Sequence, residues 1–356
     1  MTENKVYRAI GLMSGTSLDG VIDVALIETD GHGYVKPLRY YEHPYDISVR
    51  DKVRACFGKT ESDVAVIEAE KLVTELHINA LHAFSENADV IGFHGQTITH
   101  APDDGFTWQI GDGQALAKAT GIDVVADMRV NDMRAGGQGA PLLPLYHQAL
   151  LSEHKKPVAV LNMGGVANIT YIDEQDLIAF DCGPANAMMD DFIKSRRALE
   201  YDRDGALASL GTVQNNVVEL FLKDPYFAQK PPKSMDRNRW TMAAVQYAAT
   251  AEDGMATLME MVVRSVEKAL GHLPRHPLQI YVAGGGRRNL YMMDCLRNTL
   301  NIPVTSIDDL GWNGDAIEAE GFGYLAVRSL LGLPLTIPST TGAPAPTTGG
   351  VLCRAS

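Results

Sequence analysis

The chain has 356 residues, of which 46% are hydrophobic, so it is long and apolar enough to bury a large core in two domains or lobes. Its formal charge of −13 argues against a nucleic-acid partner, because an acidic protein has no general attraction to a phosphate backbone. Four cysteines without CxxC spacing and no apolar run near 20 residues argue against structural zinc and a membrane span, and predict a cytoplasmic protein with reduced thiols.

The first half of the chain is predicted to form a β-meander followed by alternating helices and strands. Turns rich in glycine and aspartate separate the first strands, and the later elements follow the periodicity of the apolar residues. The predicted elements are strands at 7–13, 23–29 and 34–42, a helix at 62–84, strands at 89–93 and 106–110, a helix at 113–120 and a strand at 123–128. The first helix is expected to begin at an N-cap formed by Ser62 or Asp63.

The same order of elements returns after a break at 155–157. The predicted elements are strands at 158–163, 167–173 and 177–181, a helix at 186–199, a long helical region ending in 255–270, a strand at 279–283, a helix at 289–300, a strand at 303–307 and a helix at 315–331. This repetition predicts an α/β fold of two βββαβαβα lobes, 1–156 and 157–356, with the active site in a cleft that separates them. The tail at 338–350 is rich in Thr, Pro and Gly and is expected to be irregular.

Each predicted lobe has a glycine-containing turn after its first strand. The turn of the first lobe lies within 14–20 and reads SGTSLDG, and the turn of the second lobe lies within 162–165 and reads NMGG. Glycines let backbone amides converge at such turns, and small hydroxyls add donors, which suits the oxygens of a polyphosphate. An ordinary hairpin is the alternative for either turn alone. The occurrence of both turns favours a nucleotide held by the two of them.

Polar residues also stand at the ends of other predicted strands, where ligands bind in sheets of this kind. Asp181 ends the third strand of the second lobe, and an ionised carboxylate there is able to accept a proton. The alternative for Asp181 is a turn-forming aspartate that bonds its own backbone. Gly284, Gly285, Gly286 and Asn289 follow the strand at 279–283. They either approach a nucleoside closely or form a tight strand-to-helix turn.

Three further candidates come from the first lobe and the last helix. His94 and Gln96 follow the strand at 89–93, and Arg129 follows the strand at 123–128. A buried structural histidine is the alternative for His94. Glu318 opens the last helix, where an acid favoured by the helix dipole explains it at least as well as a functional role. The chain has no GxxxxGK[ST] loop, protein-kinase signature or GxGxxG fingerprint, which excludes those nucleotide-binding folds.

Ordered segments along nearly the whole chain resemble the anhydro-N-acetylmuramic acid kinase family, within the superfamily of actin, heat-shock ATPases and sugar kinases. These segments are GLMSGTSLDG (11–20), FHGQTITH (93–100), QIGDGQALA (109–117), ADMR (126–129), AGGQGAPLLP (135–144), NMGGVANIT (162–170), FDCGPANAMMD (180–190), AGGGRRN (283–289) and DAIEAEGFGYLAVRSLLGLP (315–334). Several motifs in family order are far more specific than one glycine-rich turn.

The resemblance implies a kinase of peptidoglycan recycling that uses ATP and Mg2+. It would open the 1,6-anhydro ring of anhydro-N-acetylmuramic acid by hydrolysis and phosphorylate O6, giving N-acetylmuramic acid 6-phosphate and ADP. Asp181 would activate the water that attacks the anomeric carbon, and Glu318 would touch the substrate or shape the field of the base. A homodimer is compatible with the resemblance.

The resemblance also assigns binding residues. The implied nucleotide contacts are Gly15, Thr16, Ser17, Leu18, Asp19, Gly20, Asn162, Gly164, Gly165, Gly284, Gly285, Gly286 and Asn289. His94, Gln96 and Arg129 would line the sugar site, and Arg129 is suited to bidentate pairing with the lactyl carboxylate. Asp19 is the candidate contact to magnesium, through water, because magnesium keeps several waters and uses one or two carboxylates.

The chain departs from the family pattern in three places. One extra residue in Val21-Ile22-Asp23 predicts a bulge or a register change there. Cys182 and Ala185 stand where Thr and Gly are expected, and 235–236 reads Met-Asp where Thr-Gly is expected. Two alternative functions stay open. One is another sugar kinase of the superfamily that acts on an ordinary hexose hydroxyl, and the other is an ATP-driven clamp without enzymatic activity.

Overall fold

The computed structural model describes residues 5–15, 18, 20–235, 239–240, 245–246 and 248–356. The strands within these ranges are β1 Tyr7–Met13, β2 Val21–Thr29, β3 Val35–Pro44, β4 Val90–Phe93, β5 Gln96–Ala101, β6 Phe106–Ile110, β7 Val124–Ala126, β8 Val158–Met163, β9 Val166–Ile172, β10 Leu177–Pro184, β11 Gln279–Ala283, β12 Val304–Ser306 and β13 Val351–Cys353. The α-helices are α1 Ile47–Arg54, α2 Val64–Phe84, α3 Gly113–Thr120, α4 Val130–Arg134, α5 Pro144–Leu150, α6 Asn186–Arg197, α7 Asn215–Phe221, α8 Ala251–Leu270, α9 Leu290–Leu300, α10 Ile317–Leu330 and α11 Pro338–Thr341. Across the described ranges, no helix combines the length and the apolarity that a bilayer crossing requires.

The chain divides into two compact units. Unit 1 comprises Met1–Glu153 and Asp315–Ser356, and unit 2 comprises His154–Gly314. The first boundary lies close to the predicted division at 156/157. The predicted second lobe, 157–356, differs from unit 2 because the C-terminal segment returns to unit 1, where α10 packs on β1, β2 and β4.

Unit 1 is built on a six-stranded sheet in the order β13-β7-β4-β1-β2-β3. β1, β2 and β3 are antiparallel neighbours, whereas β4 is parallel to β1 and β7 is parallel to β4. Runs of consecutive buried residues in β1, β2, β4 and β7 pack with α2 in a hydrophobic core that includes Leu12, Val24, Phe84 and Phe93. β5 and β6 form a separate antiparallel pair.

Unit 2 repeats this topology with different residues. Its five strands lie in the order β10-β9-β8-β11-β12, with an antiparallel β8-β9-β10 meander, β11 parallel to β8 and β12 parallel to β11. In each unit the first five strands of the main sheet therefore lie in the order third, second, first, fourth, fifth. The predicted α/β fold with a duplicated three-strand meander and later parallel strands is confirmed.

Local sequence signals locate many of the elements. Asp63 caps α2 by accepting a hydrogen bond from the Val66 amide, and Asn289 caps α9 in the same way through Met292. The sequence did not predict α1, α5, β5 or β13. The predicted irregular tail, 338–350, contains a short helix, because residues 338–341 form α11. β13 follows the tail and pairs antiparallel with β7.

The predicted bulge at 21–23 is wrong. Met13 of β1 pairs with Asp23 of β2, and β2 pairs with β3 without interruption from Val21 to Leu26. The β2–β3 pairing instead shifts its register between Leu26 and Ile27. β2 therefore starts at Val21, directly after the turn, and accommodates the additional residue as regular strand.

Glycines allow α10 to lie with its backbone against the sheet of unit 1. A Cβ atom on Gly11 would lie 1.7 Å from the Ala319 carbonyl oxygen, and one on Gly92 would lie 2.1 Å from the Phe322 carbonyl oxygen. On the helix side, Gly323 faces the Gly11 amide. No larger residue fits at positions 11 or 92 without displacing the helix, so these contacts fix the position of α10 on the sheet.

We expect Gly11→Ala to lower the free energy of unfolding by about 3 kcal/mol, because the added methyl group meets backbone that cannot rotate away. Gly33→Ala is the matched control, since a Cβ atom there has no neighbour within 4 Å. Chemical denaturation of both variants measures the difference. Equal stability of the two variants would show that α10 can shift away from the sheet at little cost in free energy.

Candidate functional site

The first glycine turn lies at the end of β1 in unit 1. The Gly15 carbonyl accepts the Leu18 amide at 3.2 Å, and Leu18 and Gly20 have positive φ angles of 51° and 96°. The Leu18 side chain is buried in a cluster with Val53 and Ile98. The buried Leu18 side chain therefore anchors the turn to this cluster. The predicted nucleotide contacts Thr16, Ser17 and Asp19 lie outside the described residues.

Ser14 carries a buried hydroxyl at the start of this turn. The residue is 3% exposed, and its Oγ has no hydrogen-bond partner in the described part of the chain. An unsatisfied buried hydroxyl costs about 1–3 kcal/mol. A ligand oxygen that accepted its proton would recover that cost, so Ser14 supports a binding role for the turn.

The three predicted sugar-site residues lie together around the β4–β5 turn. His94 Nδ1 is 2.8 Å from the Gly95 carbonyl oxygen, and Arg129 donates its Nε–H to His94 Nε2 at 3.0 Å. Arg129 also donates from Nη1 to the Gly139 carbonyl at 2.7 Å. Gln96 is buried and donates from Nε2 to the Gly15 carbonyl at 3.4 Å, which links this group to the glycine turn.

The His94 imidazole is held neutral. Burial lowers the pKa of His94 well below its ordinary value, and the Arg129 guanidinium lowers it further. Because Nε2 accepts from Arg129, the ring proton lies on Nδ1 and is donated to Gly95. The ring also packs 4.5 Å from the centroid of Phe322 on α10. His94 thus orients Arg129 as an uncharged acceptor.

Asp132 fixes the glycine-rich loop that follows α4. Its buried carboxylate accepts the Gly139 amide at 2.7 Å and the Thr341 hydroxyl at 2.7 Å, and it also accepts the Thr336 hydroxyl. A Cβ atom on Gly137 would lie 2.2 Å from the Asp132 Oδ2. Because the Gly139 carbonyl accepts a hydrogen bond from Arg129, Asp132 indirectly fixes the position of Arg129 in the predicted sugar site. Sequence patterns indicated no role for Asp132, because its two hydroxyl partners stand 204 and 209 positions further along the chain.

Glu318 lies in the first turn of α10 in unit 1. Two residues further on, Glu320 is buried and accepts a hydrogen bond from the Tyr146 hydroxyl. Burial raises the pKa of Glu320 to about 7. The sequence did not single out Glu320. Its signal was an acid on the apolar face of a helix, which is a costly position without a partner.

The second glycine turn joins β8 and β9 in unit 2. The Gly164 carbonyl accepts the Asn186 amide at 3.0 Å, and the Gly165 carbonyl accepts the Ala185 amide at 3.1 Å. The Asn186 side chain returns a bond from Nδ2 to the Met163 carbonyl at 2.8 Å. These bonds tie the turn to the start of α6.

The triple-glycine segment packs directly on that turn. β11 runs parallel to β8 with Ala283 opposite Asn162. A Cβ atom on Gly284, which has a φ of 74°, would lie 2.4 Å from Asn162 Oδ1, and one on Gly286 would lie 2.6 Å from Met163 Cβ. The predicted contacts Asn162, Gly164, Gly165 and Gly284–Gly286 are therefore neighbours. Asn289 accepts the Met292 amide at 2.9 Å as the cap of α9.

Asp181 lies on β10 at an irregularity of the strand. The expectation that the strand ends at Asp181 is wrong, because β10 continues to Pro184 with a register shift between Asp181 and Gly183. Asp181 is 8% exposed, and its Oδ2 accepts the Met235 amide at 2.9 Å. A bulge of this kind turns a side chain away from its regular direction. The Asp181 carboxylate is thereby held by backbone from the segment after α7.

Comparison with known proteins gives a family match over residues 7–355, to the model described as anhydro-N-acetylmuramic acid kinase. A protein of that name from Zymomonas mobilis subsp. mobilis is 50% identical, covering 96% of this chain and 98% of the relative. Another from Rhizorhabdus wittichii is 48% identical, covering 97% and 98%. Among solved structures, a ROK family glucokinase from Streptomyces griseus aligns with a TM-score of 0.44 and 13% identity, covering 90% of this chain and 99% of that chain.

We expect the His94 imidazole to remain neutral at pH 6, with its proton on Nδ1. The unfolded chain has a histidine pKa of about 6.5, so below that pH it binds a proton that the folded protein does not, and stability falls as pH falls. Ring nitrogen-15 shifts of histidine-labelled protein report the tautomer, and His94→Gln identifies the signals. That variant should also lose less stability on acidification than His82→Gln, which changes an exposed histidine of α2. A charged His94 ring at pH 6 would contradict the assignment.

Proposed function

Because the chain belongs to the anhydro-N-acetylmuramic acid kinase family, we propose that the residues described above carry the two chemical steps of that activity. The protein is an ATP-dependent kinase of cell-wall recycling that opens the 1,6-anhydro ring of anhydro-N-acetylmuramic acid and phosphorylates O6. The match over nearly the whole chain argues against a kinase of ordinary hexoses and against a clamp without enzymatic activity.

Asp181 is the proposed base. The anhydro sugar has no free 6-hydroxyl, so a base that only deprotonated that group would find no proton to take. Asp181 instead accepts a proton from water as the water oxygen bonds to the anomeric carbon. The bond from that carbon to O6 breaks, and O6 takes the γ-phosphoryl group of ATP. The observation that carries this proposal is the hydrogen bond from the Met235 amide to the Asp181 carboxylate, which fixes the direction of the carboxylate at the bulge of β10.

The glycine turns are the proposed ATP contacts. Phosphoryl transfer needs positioning and neutralisation of charge more than covalent help, and amides at tight turns supply both. In unit 1 the proposed contacts are Gly15, Leu18 and Gly20, together with the Ser14 hydroxyl. In unit 2 they are the β8–β9 turn and the Gly284–Gly286 segment, which pack on each other. Asn289 is proposed as a nucleoside contact beside its role as a helix cap.

Arg129 is the proposed partner of the lactyl carboxylate. His94 and Gly139 set the direction of its guanidinium, and a fixed planar fork suits a carboxylate. His94 and Gln96 are proposed to line the same sugar site. Glu318 is proposed to act on the substrate or on the field around the base from the first turn of α10.

Magnesium is proposed as the ion that accompanies ATP. It would neutralise charge on the phosphate oxygens when bound. Asp19 stays the proposed contact through water. Magnesium keeps several waters and uses one or two carboxylates, which suits a single aspartate contact of this kind. A homodimer and a cytoplasmic location stay predictions.

We expect Asp181→Asn to lower kcat by roughly two to four orders of magnitude while ATP still binds, because asparagine keeps the shape and cannot take the proton. Phosphorus NMR of product formed from ATP and the anhydro sugar measures turnover, and calorimetry measures ATP binding. Asp176→Asn, in the exposed turn before β10, is the control. Near-normal turnover in Asp181→Asn would remove the assignment.

We expect Arg129→Lys to raise the KM for the anhydro sugar about tenfold or more, with the KM for ATP within about twofold. Lysine keeps the charge and loses the fork, and a lost bidentate bond of about 1.5–3 kcal/mol has this effect. Steady-state kinetics with each substrate varied in turn measures the split. Arg134→Lys, exposed at the end of α4, should leave both values unchanged. A larger change for ATP than for the sugar would exclude Arg129 from the sugar side.

A further inference from the structure

Lys233 is a buried cation beside the β10 bulge of unit 2. The residue is 5% exposed, and Nζ donates to the Tyr226 carbonyl at 2.9 Å. The ammonium also lies 4.5 Å from the centroid of the Tyr226 ring and 5.7 Å from that of Phe180. Among the described residues, no carboxylate forms an ion pair with it.

Burying such a charge is unfavourable. Removing an ammonium from water costs several kcal/mol, and one hydrogen bond with aromatic contacts recovers part of it. Burial lowers the pKa of Lys233 to about 8, against the opposing influence of Cys182 and Asp181. The side chain is therefore still mostly protonated at neutral pH. A neutral residue of similar length would fill the same space at lower cost.

The backbone of Lys233 is bonded directly to Asp181. The Asp181 amide donates to the Lys233 carbonyl at 2.9 Å, and two residues later the Met235 amide donates to the Asp181 carboxylate at 2.9 Å. The Tyr226 hydroxyl donates to the Asp181 carbonyl at 2.8 Å. Lys233 binds the backbone of Tyr226 in turn. The hydrogen bonds thus form a closed ring through Asp181, Lys233 and Tyr226.

We propose that Lys233 is a positioning residue for Asp181, whose buried ammonium keeps the Asp181 carboxylate ionised and whose backbone holds it in direction. This inference rests on the proposed role of Asp181 as the base. A nearby positive charge favours the ionised form of a carboxylate, and low local polarity strengthens the effect. The Asp181 carboxylate would consequently stay ionised, and able to accept a proton, at a lower pH than an aspartate in an apolar surrounding without a nearby cation.

The other titratable groups around Asp181 do not supply this charge. Burial raises the pKa of the Cys182 thiol and of the Tyr226 hydroxyl, so both are neutral. Asp224 and Arg239 pair with each other at 2.9 Å and their charges offset. His272, which packs against Phe180, donates its Nε2–H to the Phe227 carbonyl at 2.8 Å. Within the described residues of this group, Lys233 is the cation that no ion pair offsets.

The test compares pH profiles of kcat/KM for the anhydro sugar at saturating ATP. Lys233→Met removes the charge and keeps the length, and Lys230→Met is the control at an exposed lysine nearby. We expect the acid-side midpoint to rise by about one pH unit in Lys233→Met only. Well below both midpoints, kcat/KM of the variant, normalised to its alkaline plateau, should then be about tenfold lower than that of the unchanged protein at the same pH. Lys233→Arg, which keeps the charge, should return the midpoint toward that of the unchanged protein.

An unmoved midpoint in a folded Lys233→Met protein would overturn the inference, since a residue that only supports the fold would not shift a titration. If Lys233→Met does not fold, Lys233→Gln carries the same test, because its amide still donates toward Tyr226. If both variants fail to fold, the Lys233 side chain is required for folding, and the inference is rejected. Failure of the proposed base is separate, because it appears as an active Asp181→Asn whatever the profile of the lysine variants.

Discussion

The close approach of α10 to β1 and β4 is the constraint on which unit 1 depends. Gly11 and Gly92 have no side chain, so the helix backbone lies directly on the sheet instead of on a layer of side chains. This contact joins the end of the chain to its first strand. It also places Phe322 against His94, so the same helix that closes the core supports the residue that orients Arg129.

Unit 2 uses the same principle on another pair of elements. Gly183 at the β10 bulge meets Ser265 of α8, where a Cβ atom would lie 2.4 Å from the serine hydroxyl. The bulge at Asp181 is therefore next to a close contact between α8 and the sheet. In both units a glycine contact fixes a helix on the sheet, and a polar residue one or two positions away gains a defined direction. Precise placement of a reactive group depends on such rigid surroundings.

Much of the architecture was predictable because it depends on local patterns. Short apolar runs bounded by turn residues located β1, β6, β8 and β11, and capping side chains such as Asp63 located helix starts. The return of residues 315–356 to unit 1 was not predictable from periodicity, which says nothing about which sheet a helix joins. Sequence patterns also did not reveal the roles of Asp132 and Lys233. The role of Asp132 comes from partners distant in the sequence, and that of Lys233 comes from the burial of its charge. The sequence located the candidate groups, and the contacts that orient them required the structure.

The acidity of the chain explains why those contacts matter. With a formal charge of −13, the overall field opposes the approach of ATP and of a sugar carboxylate. Attraction must then come from short-range groups in fixed positions, because screening removes distant charges beyond about 8 Å at physiological salt. Arg129 is fixed by a neutral histidine, which adds no charge of its own, and the glycine turns offer backbone amides that need no counter-charge. The proposed role of Lys233 follows the same logic, since a buried cation close to Asp181 would act on that carboxylate where the net charge of the protein cannot.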